Sequence, residues 1–360
     1  EALIRPNTKL IFGETIANPA LSVFDIERIA SVAHKAGIPL IVDNTFATGV
    51  LCRPIDFGAD IVVLSTTKYM DGHAVQLGGC VIDSGNFDWQ AHADKFPGLC
   101  TPDESYHGIT YTERFGKGAY MTKATAQLMR DLGSIQSPMN AFLLNLGLET
   151  LHLRVKRHCE NAQAVAEFLE KSDKIEWVRY CGLKSDKYYE LGQKYLPNGS
   201  CGVVSFALKG TRKDAEKFMK NLKIAAIETH VADARTCCLH PASATHRQMS
   251  EEELVACGIS GDLVRFSVGI EDVNDLIADL EIEHLGIGQR IADQHRIFLC
   301  QNRIRVTLNF IQAMLHNHIN QRTVKCRILI LIGCNGIGGI FRTGDGISRS
   351  SGSLLLGQKQ

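Results

Sequence analysis

The chain has 360 residues, 45% of them hydrophobic, with 39 basic and 39 acidic side chains and a formal net charge of zero. That length accommodates two domains with separate cores, and the charge balance excludes any whole-molecule electrostatic case for binding nucleic acid or an anionic membrane. None of the 12 cysteines forms a C-x-x-C pair, which argues against a zinc ribbon or a thioredoxin-like redox site; they read as buried reduced thiols of a cytosolic, cytoplasmic protein.

The first residue is Glu1 rather than Met, so the chain reads as N-terminally truncated or processed, and it opens without a signal peptide. Residues 9–12 predict a short strand. Asp25 then offers an N-cap to an amphipathic helix, in which Ile26, Ile29, Ala30 and Ala33 share a face and Gly37 supplies the left-handed end. The continuous apolar run of residues 38–42 suits a strand buried on both faces of a parallel sheet and stops at Asp43. Residues 60–64 repeat that pattern. Strand, helix, strand, loop, strand is an α/β signature.

From about residue 119 to 153 the pattern is helical, broken between Arg130 and Ser137 and restarted at Pro138; residues 151–169 continue as a long helix. Residues 175–180, 202–208 and 262–268 read as strands, and 214–222 and 272–283 as helices. This half has no parallel βαβ rhythm, so it is expected to be α+β. The expected division is therefore residues 1–138, a larger α/β part; residues 139–284, a smaller C-terminal α+β domain; and residues 285–360, an unassigned tail. The tail carries about ten Lys and Arg against two Asp and Glu, and its composition predicts disordered or foreign sequence. Its most apolar window, residues 328–340, falls short of the roughly 20 residues that a membrane helix needs. The run Gly333 to Gly338 superficially suggests a dinucleotide loop but lacks the spacing and the βαβ context.

Chemistry concentrates after the two apolar runs, because ligands of an open α/β sheet bind at the carboxyl ends of its strands. Asp43 closes one run. Alone it is a carboxylate that caps the next turn. Ser65-Thr66-Thr67-Lys68 follows the other. Alone, Lys68 is a snorkelling surface lysine; partly buried, its amine becomes a nucleophile toward carbonyl cofactors. The pair favours the second reading. Pyridoxal 5'-phosphate (PLP) needs a lysine for its aldehyde, a carboxylate for its ring nitrogen and donors for its phosphate. Ser65 and Thr67, two residues apart, present their hydroxyls on one side if the segment is extended. Gly72, Gly78 and Gly79 would let the backbone approach a ligand.

These residues lie in stretches that resemble the Cys/Met-metabolism PLP-dependent enzymes, the γ-family of transsulfuration enzymes: GETIANPALSVFDI, PLIVDNTFAT, ADIVVLSTTKYMDGH, LRVKRHCENA, HPASATH and LVRFSVGIED. The segment KFPGLCTPDESYHG, residues 95–108, is most similar to the O-acetylhomoserine sulfhydrylase branch. The resemblance covers about residues 1–284. It implies an aspartate-aminotransferase-like (fold type I) architecture with a mostly parallel central sheet, and a homotetramer of close dimers. It also implies roles: Lys68 as the Schiff-base lysine, Asp43 as the partner of the pyridinium nitrogen, Ser65 and Thr67 as phosphate ligands, Asn18 beside the cofactor and the substrate carboxylate, and Arg265 as the arginine that holds that carboxylate. A guanidinium fork suits a carboxylate; the competing reading of Arg265 is an ion pair with Asp262 or Glu271.

The implied reaction is γ-replacement on O-acetylhomoserine by sulfide or a thiol, giving homocysteine or methionine plus acetate, with small molecules as the only partners besides the subunits themselves. The alternatives are a cystathionine γ-synthase or methionine γ-lyase type of reaction, a catalytically incompetent fragment, and, remotely, a nicotinamide-dependent dehydrogenase. Two departures from the family pattern stand out. Ala232 occupies a position where Gly is usual, and His230, read as a loop histidine, lies where some relatives have a substrate-contacting Ser. The family's N-terminal Gly-Met phosphate turn, its stacking tyrosine and its Tyr-x-Arg segment have no counterpart in this sequence.

Overall fold

In the computed structural model the described residues are 1–285, together with the pairs 333–334 and 337–338. Residues 1–285 lie within one compact unit.

The first sheet runs β1 (Ile11–Glu14), β2 (Leu40–Asp43), β3 (Ile61–Ser65) and β4 (Gly79–Asp83), in that spatial order. β1, β2 and β3 are parallel, and β4 turns back antiparallel on β3. The expected parallel core is therefore present, with an antiparallel edge. Glu14 pairs with Asp43, and Asp43 with Val63, so the carboxyl ends of the three parallel strands lie side by side. Leu40 and Val42 are fully buried while Ile41 is only half-buried, which makes β2 less symmetrically covered than an unbroken apolar run predicts.

The helix Ile26–Lys35 covers this sheet through Ile26, Ala30 and Ala33. Its Asp25 does not cap it by a side-chain bond. Asp25 instead accepts the Tyr195 hydroxyl at 2.6 Å, and that same oxygen accepts the Glu27 N–H at 3.2 Å, so a tyrosine distant in sequence satisfies the helix start. Gly37 is left-handed as expected.

The second sheet is five-stranded, ordered β5 (Ile175–Arg179), β6 (Val203–Leu208), β9 (Leu263–Ser267), β8 (Cys237–Leu239) and β7 (Ala226–Ile227). It is antiparallel except for the β7–β8 pair. Phe206, Phe266, Val204 and Val264 meet Ala162, Val165 and Leu169 of the helix Leu151–Lys171 in its core, each such aliphatic or aromatic side chain contributing about 1.5–3 kcal/mol by burial. The break expected at residues 130–137 falls between the helical turn Arg130–Leu132 and the helix Pro138–Glu149, whose Ser137 accepts the Asn140 N–H as N-cap. The two sheets lie on either side of that break in sequence.

The helix Leu151–Lys171 also carries a polar row on its buried side: Arg154, His158 and Asn161. Arg154 donates to the carbonyls of Tyr69 (2.8 Å), Met70 (3.4 Å) and Gly147 (2.6 Å). His158 Nδ1–H donates to Val268 O at 2.7 Å, and Asn161 donates to Gly269 O and Glu271 O. One helix thus fixes both the turn after β3 and the segment after β9. Among the residues past 285, Gly333–Cys334 pairs antiparallel with Ile337–Gly338, a hairpin rather than a phosphate loop; the remainder of the tail, and so its expected disorder, lies outside the described residues.

Candidate active site

β3 ends at Ser65, and residues 66–71 coil into turns. The segment is thus not extended at Thr67, and the two hydroxyls do not follow the alternation of a strand. Thr67 Oγ1 bonds Gly78 twice, donating to its carbonyl (3.3 Å) and accepting its N–H (3.1 Å). Ser65 takes Thr45 Oγ1 on its own N–H at 2.8 Å, and its hydroxyl has no protein hydrogen bond among the described residues. Gly72 and Gly78 make room for protein atoms, whereas a methyl at Gly79 would meet only Leu64 O at 3.4 Å, an ordinary contact. A methyl at Gly72 would lie 2.1 Å from Arg154 Nη1, and one at Gly78 would lie 2.6 Å from Thr66 Oγ1.

Lys68 is half-buried. Burial, and then the nearby Arg265 charge, lower its pKa from the ordinary lysine value, which is the condition for a nucleophilic amine. Its Nζ lies 3.3 Å from Nδ1 of His230. Asp43 stands at the end of β2, one strand over. One of its oxygens accepts the Thr45 N–H at 2.8 Å, forming the turn expected of a capping Asp, and leaves the other for a ligand.

Arg265 enters from β9. Its competing ion-pair reading is excluded, because Glu271 is engaged by Thr236 N and Oγ1 and Asp262 makes no bridge to it among the described residues. Arg265 donates instead to Asn18 Oδ1 (3.4 Å), Thr229 O (3.0 Å) and His230 O (2.9 Å). It is 4% exposed, and burial lowers its pKa. The structure thus brings Lys68, Asn18 and Arg265 together from three separate segments.

Two buried nitrogens in this group have no protein partner, Arg265 Nε and His230 Nε2. Unpaired buried donors are costly, about 1–3 kcal/mol each, and a ligand with anionic oxygens satisfies them. This donor set, with a depressed lysine amine at a strand's carboxyl end, fits PLP and an amino acid. A separate apolar cleft of about 510 Å³, lined by Leu10, Ile41, Trp89 and Phe96, includes none of these residues.

The sequence singles out His230 as a loop histidine where some relatives have a substrate-contacting Ser, and the fold places it against Lys68; Arg154 carries no such signal. Arg154 sits in the quoted LRVKRHCENA stretch, but its three carbonyl partners are up to 85 residues away. Ala232 takes φ +66°, the left-handed region that glycine occupies without strain, and its N–H is held by Ser267 Oγ at 2.8 Å, a physical reason for the Gly that the family pattern leads one to expect there.

The chain belongs to the family described as Cys/Met metabolism PLP-dependent enzymes, whose model matches residues 1–283. It is 47% identical over 279 residues to the homocysteine synthase of Schizosaccharomyces pombe, covering 77% of this chain and 65% of that one. It is 45% identical over 284 residues to the O-acetyl-L-homoserine sulfhydrylase of Corynebacterium glutamicum, covering 78% and 65%. A solved structure of a candidate O-acetylhomoserine (thiol)-lyase from Campylobacter jejuni, holding N′-pyridoxyl-lysine-5′-monophosphate, superposes with a TM-score of 0.75 at 37% identity, over 78% of this chain and 67% of that one. The chain spans about two thirds of the length of these relatives.

Proposed function

We propose that this chain belongs to a PLP-dependent enzyme that performs γ-replacement on O-acetylhomoserine, with sulfide or a small thiol displacing acetate to give homocysteine or methionine. The carrying observation is the convergence of the depressed Lys68 amine with the buried, incompletely partnered Arg265 at the carboxyl end of β3. The names of the relatives supply the substrate class.

When bound, PLP supplies an electron sink conjugated to the substrate's Cα. Lys68 would hold it and, as an amine whose pKa burial depresses, would serve as the base for the Cα proton. Asp43 would keep the ring nitrogen protonated through the oxygen that Thr45 leaves free. Ser65, with its uncommitted hydroxyl, would donate to the phosphate, and Thr67 would do so by releasing its bond to the Gly78 carbonyl. Arg265 and Asn18 hold the substrate carboxylate, the guanidinium fork fixing the orientation of the Cα–H bond.

Oligomerisation to a homotetramer is supported by exposed apolar residues at helical spacing, Met139, Phe142 and Leu146, on one helix. A reducing, cytoplasmic setting is supported by nine described cysteines that are all unpaired. No helix among the described residues is long and apolar enough to cross a membrane.

Incubation with PLP, borohydride reduction and peptide mapping tests the assignment. The expected adduct is on Lys68 and is lost in Lys68→Ala; an adduct elsewhere, or none, overturns it. Acetate release from O-acetylhomoserine that depends on sulfide identifies γ-replacement, whereas a requirement for cysteine, or release without any acceptor, identifies a sister reaction.

A further inference from the structure

The loop from Thr229 to Arg235 is held on every side. Arg265 Nη2 grips the carbonyls of Thr229 and His230, Ser267 Oγ grips the Ala232 N–H, the Ala234 N–H donates to Gly72 O at 2.8 Å, and Arg235 pairs with Asp233 at 2.7 Å. So constrained, the loop aims the His230 ring at Lys68, Nδ1 to Nζ 3.3 Å.

We propose that His230 is a positioning residue for Lys68: Nδ1 accepts a hydrogen bond from the lysine amine, holding Nζ between the end of β3 and the His230 loop and linking it through the His230 carbonyl to Arg265.

The charged and titratable groups facing this pair are Arg265, Asp233, Asp71 and Cys237. Burial, and then the Lys68 charge, lower the His230 pKa, so the imidazole is neutral at neutral pH. A neutral imidazole has one acceptor nitrogen. Facing an ammonium group, that nitrogen is Nδ1, and the proton resides on Nε2, the atom with no protein partner. An acceptor stabilises the charged amine and opposes the burial and the Arg265 charge that destabilise it. His230 therefore limits how far the Lys68 pKa falls.

The meaning of this device rests on the proposed role of Lys68, but its test needs no cofactor. Competitive acetylation of the full chain with acetic anhydride, read by mass spectrometry at the Lys68 peptide across pH, gives the amine's midpoint. In His230→Phe the midpoint is expected to fall by about one pH unit or more, the size of one hydrogen bond to a charged group. In His230→Asn, whose side-chain oxygen occupies the Nδ1 position, it falls by less than about half of that. A midpoint unchanged in His230→Phe, or lowered equally in both variants, overturns the inference. Nitrogen-15 NMR of the wild-type imidazoles is an independent arm that requires no variant to fold: the Nε2–H tautomer is expected for His230, and an Nδ1–H tautomer or an imidazolium at neutral pH overturns it. Failure of PLP to add at Lys68 would count against the proposed function while leaving these midpoints and tautomers as they are.

Discussion

Replacing Gly72 with alanine puts a methyl 2.1 Å from Arg154 Nη1 and 2.5 Å from its Cζ, on a residue at φ +73°. The left-handed backbone alone costs an L-residue about 1–2 kcal/mol. The guanidinium must also move, and it donates to three carbonyls, of which Tyr69 O at 2.8 Å and Gly147 O at 2.6 Å are the shorter bonds. Losing one charge-assisted bond to a buried carbonyl costs about 1.5–3 kcal/mol. The total is roughly 2.5–5 kcal/mol, a large part of the 5–15 kcal/mol typical of a folded domain. Urea unfolding followed by tryptophan fluorescence measures it. A double-mutant cycle isolates the Arg154 contribution, because in an Arg154→Ala background the Gly72→Ala change should cost only the backbone part. A loss below about 1 kcal/mol in the wild-type background, or equal losses in both backgrounds, would refute the reasoning that Gly72 exists to admit Arg154.

Burial depresses the His158 pKa from 6.5 to about 4, so the unfolded chain binds a proton that the folded one refuses between those values. Stability is then complete above pH 6.5 and falls toward pH 4 by a few kcal/mol; urea midpoints across that window should flatten in His158→Gln, and an unchanged slope would place the effect elsewhere. Tyr195→Phe removes both the Asp25 bond and the acceptor for Glu27 N–H, and is expected to lower stability by about 1–2 kcal/mol in the same assay. Arg265→Lys keeps the charge but loses the fork; KM for the amino-acid substrate should rise on the order of tenfold or more while borohydride still fixes PLP to Lys68.

The strands and helices that position the site were readable because their signals are local. The run ending at Asp43 and the run before Ser65 are β2 and β3, and the antiparallel C-terminal sheet follows from strands without crossover helices. That Lys68 and Asp43 follow apolar runs at the ends of neighbouring parallel strands was readable for the same reason. The extended geometry expected at Thr67 was not, because the alternation of side chains ends where the backbone turns, one residue after Ser65. Nor was the use of the glycines: a glycine run looks alike whether the space beside it receives a ligand or, as at Gly72, an arginine from a helix about 80 residues away. His230 and Arg154 lay beyond reach because their partners are far off in sequence, 162 residues for His230 and Lys68.

The Lys68 turn and the His230 loop are joined main chain to main chain, through Ala234 N–H and Gly72 O. Deleting either side chain therefore leaves the two backbones in register, with a shaped hole in place of the missing group. Such holes are what chemical complementation exploits. Methylamine added to Lys68→Ala, or imidazole added to a His230→Gly chain, would enter a socket whose walls have not moved, and the concentration needed for rescue would measure how much of the site's order belongs to the scaffold rather than to the side chains it carries.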